Sequence, residues 1–356
     1  MRRGNIISVA ALVLTLALSG GCQRLINPGA DSGTISFATS SLQLSTGVTK
    51  GGTTKEGTTF STDGSDSFAV FGWHAEAEEG EKWIFDNEEV TCGAISEDRN
   101  TTSYTPLQPW EWGSSATDYY DFIAFYKWVD GVYTKSANPT FVRVPYDATV
   151  AQYDLLAAAA RRKGDAPDPN AIVPLTFRHL LCAIKVVVYN DSEGKDFTLK
   201  NLHFKGLVIS ADADLTISSP PASTFLVNWT DPAVNTNDDL FGFNSNKLVE
   251  HGESISWPDD VGVNGNYNLL VPQTLTASTK LEMSFTYDNG GVPKNSTLSL
   301  GLSTVPNETD GQLLTTWAAG YKYVYQIHIR VDGGVVVSVI TTEWDPVEGQ
   351  THGIML

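Results

Sequence analysis

Residues 321–331 (YKYVYQIHIRV) alternate without a break. Tyr321, Tyr323, Tyr325, Ile327, Ile329 and Val331 fall on one side, and Lys322, Val324, Gln326, His328 and Arg330 on the other. A period of two sets one row against a core and the other toward solvent, which predicts a half-buried antiparallel strand. Asp332-Gly333-Gly334 predicts a hairpin turn, with residues 335–340 returning. Further strands are predicted at 184–189 (IKVVVY), in two pieces over 197–209, and at 268–271, 281–287 and 297–302. In the first half they fall at 34–44, 83–85 and 141–144. Residues 67–73 (SFAVFGW) are apolar on both faces, as in a central sandwich strand, and 118–129 (DYYDFIAFYKWV) form an aromatic strand or strand pair. One segment departs from this pattern. Residues 146–164 predict a helix, because Ala157, Ala158, Ala159 and Ala160 favour helix. Arg161, Arg162 and Lys163 suit its C-terminal dipole, and Gly164 its cap. Residues 47–57 (GVTKGGTTKEG) hold no apolar side chain except Val48 and predict an exposed loop.

Many short strands with frequent turns imply an all-β protein built from antiparallel β-sandwiches. A chain of 356 residues is long enough for two such domains. The Pro- and Asp-rich stretch 165–170 (DAPDPN) is the best linker between them. The expected division is a leader over 1–21, a tether over 22–33, a first sandwich over 34–166 and a second over 167–356. Composition agrees with this reading. Apolar residues make up 41% and charged ones 18%, so a sizeable core can be buried.

The N-terminus changes the picture from fold to location. Arg2 and Arg3 precede an apolar stretch of thirteen residues over 6–18, too short to cross a bilayer as a helix and suited to a signal-peptide core. Ser19-Gly20-Gly21-Cys22 follows and resembles a lipobox, which makes Cys22 the expected site of acylation. An ordinary signal peptide with an incidental cysteine is the alternative. Two acyl chains would hold the chain stably on a membrane. The formal net charge of −18 repels nucleic acid and disfavours docking on anionic lipid headgroups. Cys92 and Cys182 are too far apart in sequence for a zinc motif. Cys182 lies in an apolar run and reads as a buried hydrophobe, with a disulfide to Cys92 left open.

Candidate chemistry is sparse. None of the six histidines stands at metal-ligand spacing from another, and no nucleophile elbow, P-loop or dinucleotide fingerprint occurs. His179 beside an apolar run reads as a structural residue. Asp212-Ala213-Asp214 and Asp63-Gly64-Ser65-Asp66 could touch a Ca²⁺, but neither completes a calcium loop, and turn residues are the simpler reading. No enzyme activity and no cofactor are expected. Trp110-Glu111-Trp112, between Pro109 and Gly113, could stack on sugar rings or plug the end of a sandwich.

Taken in order, several stretches resemble the fimbrillin family of Bacteroidota surface lipoproteins. They begin with the Cys22 lipobox and Ile35-Ser36-Phe37 leading into a Thr-Lys-Gly loop. Phe68-Ala69-Val70-Phe71-Gly72-Trp73, Asp121-Phe122-Ile123-Ala124-Phe125-Tyr126 and Gln152-Tyr153-Asp154-Leu155-Leu156 follow. Next come Val173-Pro174-Leu175-Thr176-Phe177-Arg178-His179-Leu180-Leu181 and Leu270-Val271-Pro272-Gln273. Trp317-Ala318-Ala319-Gly320-Tyr321-Lys322-Tyr323 and Thr342-Glu343-Trp344 close the series. The resemblance implies two tandem transthyretin-like antiparallel β-sandwich domains and export through the periplasm to the outer membrane. It implies a fimbria subunit supporting adhesion and biofilm formation. Its expected partners are other fimbrial subunits, the membrane through the lipid anchor, and host proteins or glycans. It also implies assembly by strand exchange once a protease removes the first strand. Cleavage in the family's best-studied members follows an arginine, and none lies here between Arg24 and Arg99, so Lys50 and Lys55 become the expected processing sites, with two lysines that merely solubilise a loop as the alternative. The closing hairpin, 321–331 with 335–344, is the expected donor. A monomeric surface glycan-binding lipoprotein, using Trp110 and Trp112, is the alternative function.

Overall fold

The computed structural model describes residues 36–40, 67–74, 82–95, 101–106, 119–126, 132–136, 141–150, 154–163, 172–217, 225–235, 241–258, 267–331 and 334–344. In the first half these residues form β1 (Ser36–Ser40), β2 (Ser67–His74), β3 (Lys82–Ile95), β4 (Thr101–Pro106) and β5 (Tyr119–Tyr126). There follow β6 (Thr134–Lys135), β7 (Val142–Asp147), β8 (Leu156–Lys163), β9 (Ile172–Leu175) and β10 (Arg178–His179). The middle holds β11 (Cys182–Asn190), β12 (Phe197–Lys205), β13 (Val208–Ile217), β14 (Phe225–Val234), β15 (Gly242–Val249) and β16 (Ser254–Trp257). The rest is β17 (Asn268–Leu270), β18 (Gln273–Thr274), β19 (Lys280–Asp288), β20 (Pro293–Gly301), β21 (Thr316–Trp317), β22 (Tyr321–Arg330) and β23 (Gly334–Glu343). One short 3-10 turn, Leu302–Thr304, is the sole helical element among the described residues.

The first eight-stranded sheet runs β10-β8-β5-β2-β3-β4-β1-β9. It curls, so that β9 at one end comes back toward β8, the second strand from the other end. Its inner face encloses a core of Phe37, Phe68, Phe85, Phe122, Phe177 and Tyr120 with smaller side chains between them. The opposite face carries Ala69, Phe71, Trp73, Ile123, Phe125, Ala157 and Ala159 into a second, larger core. β2 is therefore covered on both sides, which is why 67–73 reads as an unbroken apolar run. At Gly72 an added Cβ would lie 2.9 Å from a ring carbon of Phe85 and 3.0 Å from one of Phe122, so only glycine lets those rings close over the strand.

The larger core lies between two more sheets, β16-β11-β22-β23 (with β17 also on β11) and β15-β12-β19-β20. Phe204 of β12 reaches Trp257 of β16 at 5.7 Å and Trp317 of β21 at 6.3 Å between ring centroids. A further sheet, β14-β13-β7-β6, joins strands from either side of 165–170. β9 and β10, which also follow that stretch, pair with β1 and β8 of the first sheet. The architecture is all-β and sandwich-like, as expected.

The helix expected over 146–164 is a correction. Residues 156–163 are strand β8, paired over their length with β5. Ala157 and Ala159 face the larger core, and Leu156, Ala158 and Ala160 the smaller one. Small side chains suit a strand covered on both faces, and that burial overrides the helix preference of alanine. Arg161 answers no helix dipole: its guanidinium donates to both carboxylate oxygens of Asp121, its cross-strand partner, at 2.5 and 2.6 Å. Cys182 is a free buried thiol 3.3 Å from the Leu270 carbonyl, so the disulfide left open to Cys92 is not formed.

Candidate functional site

β1 is five residues long, and its neighbours come from distant parts of the chain. It pairs antiparallel with β4, setting Phe37 opposite Tyr104 and Ser40 opposite Thr101. On its other side it pairs in parallel with β9, Phe37 opposite Val173 and Thr39 opposite Leu175. β9 ends the sheet, so β1 is its only ladder partner among the described residues. The Phe37 side chain is fully buried. Its ring meets Phe122 at 5.4 Å, Phe85 at 6.0 Å and Phe68 at 6.3 Å, all edge-on, a geometry that aligns ring edges with ring faces.

Two ladders and one aromatic plug therefore hold β1. Lifting it out would open a slot between β4 and β9, leaving one edge of each unpaired and a ring-sized void against three phenylalanines. Burying a Phe side chain stabilises by roughly 1.5–3 kcal/mol, so a replacement strand needs an apolar side chain at that position. Of the large apolar side chains in the predicted strand 34–44, only Phe37 is among the described residues; Ile35, Leu42 and Leu44 lie outside them. Cys22, Lys50, Lys55, Trp110 and Trp112 also lie outside the described residues.

Elsewhere the polar side chains singled out in the sequence serve the scaffold. His179 is buried, its Nδ1 lies 3.0 Å from Asp154 Oδ1, and its ring stacks on Trp344 with centroids 4.2 Å apart. His328 stacks on Tyr189 at 4.5 Å and lies 2.9 Å from Asp191. Asp214 accepts two hydrogen bonds from Arg143 of β7, at 2.6 and 2.8 Å, and Asp212 lies 3.4 Å from the same guanidinium. The hydrogen bond to Asp214 raises the Arg143 pKa above its ordinary value. Asp212-Ala213-Asp214 thus joins β13 to β7 rather than forming a turn. No group of three His, Cys, Asp or Glu among the described residues is placed to hold a metal. The sequence does not show which strands wall the β1 slot, because β4 and β9 carry no local signal of pairing with residue 37.

A profile of fimbrillin-like proteins matches residues 48–344. The chain belongs to the fimbrillin-like family. Solved structures of similar shape include a protein from Bacteroides uniformis assigned to cell adhesion, at 16% identity and a TM-score of 0.46, covering 88% of this chain and 98% of that one. A fimbrial protein from Bacteroides vulgatus is 14% identical with a TM-score of 0.46, covering 78% and 92%. The fimbrial anchor protein Mfa2 from Porphyromonas gingivalis is 10% identical with a TM-score of 0.34, covering 88% and 98%. No curated protein sequence matches this chain.

Proposed function

We propose that this fimbrillin-like chain is a structural or accessory subunit of a cell-surface fimbria, assembled by exchange of its first strand. The observation that carries this reading is β1 itself. It is a short strand set between β4 and β9, with Phe37 as its described anchor in the core. In the proposed sequence the precursor is exported, acylated at Cys22 and held at the outer membrane. Cleavage after Lys50 or Lys55 frees the segment containing β1. A strand from a neighbouring subunit then enters the slot, regaining both ladders and burying an apolar side chain where Phe37 was. Adhesion, biofilm formation and contact with host proteins or glycans would follow from the polymer.

Changing Lys50 and Lys55 together to Gln and adding the cognate surface protease tests the trigger. The expected result is loss of the detergent-resistant ladders that the processed wild type forms, and ladders equal to wild type overturn the assignment of these lysines. The slot is tested directly with a chain cut after Lys55. It should bind a synthetic peptide of residues 34–44 in equal ratio and reject the same peptide carrying Phe37→Ala. Equal binding of both peptides would remove Phe37 as the anchor.

A further inference from the structure

β9 depends on β1 for its place in the sheet. Its four residues pair with β1 and with no other strand among the described residues, so the departure of β1 removes the whole of its ladder. Val173 and Leu175 are nonetheless buried in the phenylalanine-rich core. The chain just beyond them is fastened to the opposite end of the same sheet. Phe177 packs edge-on against Phe68 at 5.4 Å, β10 pairs with β8, and the Leu180 N–H donates to the Leu155 carbonyl at 2.9 Å. β9 is thus a short strap, anchored at its C-terminal end and separated from β4 by the width of one strand.

The strand directions allow that gap to close. β9 runs parallel to β1 and β1 antiparallel to β4, so β9 already lies antiparallel to β4. The registers agree as well. Positions 104, 37 and 173 form one row across the three strands, 103, 38 and 174 the next, and 102, 39 and 175 the third. A sideways step of one strand spacing, about 4.8 Å, would set β9 on β4 and bring Val173 to the row position that Phe37 leaves. The step breaks no ladder, because β8 lies near β9 without pairing to it. An emptied slot exposes two unpaired edges and a void lined by phenylalanine rings. Closure pairs the edges and fills the void only in part, since valine is smaller than phenylalanine.

We propose that β9 closes the emptied β1 slot by pairing with β4, and that an incoming strand must displace it. This regulation rests on the proposed departure of β1. The incomplete fit of Val173 sets the order of strength. The strap seals the slot against strands that bring no large side chain. A donor with an aromatic side chain at the Phe37 position restores two ladders in place of one and fills the void, so it displaces the strap. The emptied subunit therefore waits with its edges covered, and the fit of the donor side chain decides which strand enters.

A disulfide between β4 and β9 tests the closure. Ser103→Cys and Pro174→Cys are introduced in a chain whose Cys22 and Cys92 are changed to Ser, leaving the buried Cys182. In the intact chain β1 holds the two positions two strand spacings apart, about 9–10 Å, beyond the roughly 7 Å that a disulfide spans. Mild oxidation should leave the intact chain unbonded and should join the two cysteines once the chain is cut after Lys55 and the freed segment removed. A peptide of residues 34–44 added first should prevent the bond, and the bonded chain should not bind that peptide until it is reduced. Absence of the bond after release, an equal bond in the intact chain, or peptide binding undiminished by the bond overturns the closure alone. Retention of the segment after cutting overturns the departure of β1 and the closure together. Hydrogen exchange on the wild-type chain checks the same point without substitutions. Amides of 172–175 should stay protected after release, and exchange there as fast as in the exposed turn 289–291 overturns the closure.

Discussion

Phe37 shows how much can rest on one side chain. It is the only described apolar anchor of β1, and truncating it leaves a cavity among Phe68, Phe85 and Phe122. Phe37→Ala is expected to destabilise the unprocessed chain by about 3–5 kcal/mol, read from denaturant midpoints. A loss below about 1 kcal/mol would mean the ring is not structural. Tyr323 and Tyr325 report on the opposite core. The Tyr325 hydroxyl accepts the Trp317 Nε1–H at 3.0 Å, and the Tyr323 hydroxyl accepts the Ala318 N–H at 2.8 Å. Burial raises both acidities' midpoints, Tyr323 from 10.0 to about 12. The unfolded chain therefore ionises first. Stability that is complete below pH 10 is lost as pH rises toward 12, and circular dichroism across that interval should show unfolding. Replacing both tyrosines with Phe should flatten that decline.

Among the elements, the strands with clean alternation were legible from the chain. In β22 the row of Tyr323, Tyr325, Ile327 and Ile329 is buried as its period demands. β22 was also expected to swing out with β23 as a donor hairpin, yet it lies between β11 in parallel and β23, an interior strand whose removal would open the larger core. Alternation tells which face is buried and nothing about which strand lies alongside. β8 failed for a different reason: four consecutive alanines have no apolar period, and only a partner on each face makes them a strand. The same packing makes a prediction. Ala158→Leu pushes added carbon atoms into the phenylalanine-rich core opposite Ala124 and should lower stability by about 1–3 kcal/mol, checked by thermal melts. A neutral result would show slack that the packing does not have.

At the scale of the molecule, strands on either side of 165–170 interlock. β7 joins β13, fixed by the Arg143–Asp214 pair, and the larger core draws side chains from both halves. One cooperative calorimetric transition is expected, with Arg143→Gln lowering its midpoint. Two resolved transitions would instead mark the halves as independent. The pairing of β1 with β9 bears on the order of events during synthesis. A chain is made from its N-terminus, so residue 36 exists long before residue 172, which it must meet in register. Until then the first strand has at most half of its ladder, and pairing across so long a stretch is slow to form. The strand made first is therefore among the last to be seated, and its leaving reverses a late step rather than undoing the foundation of the fold.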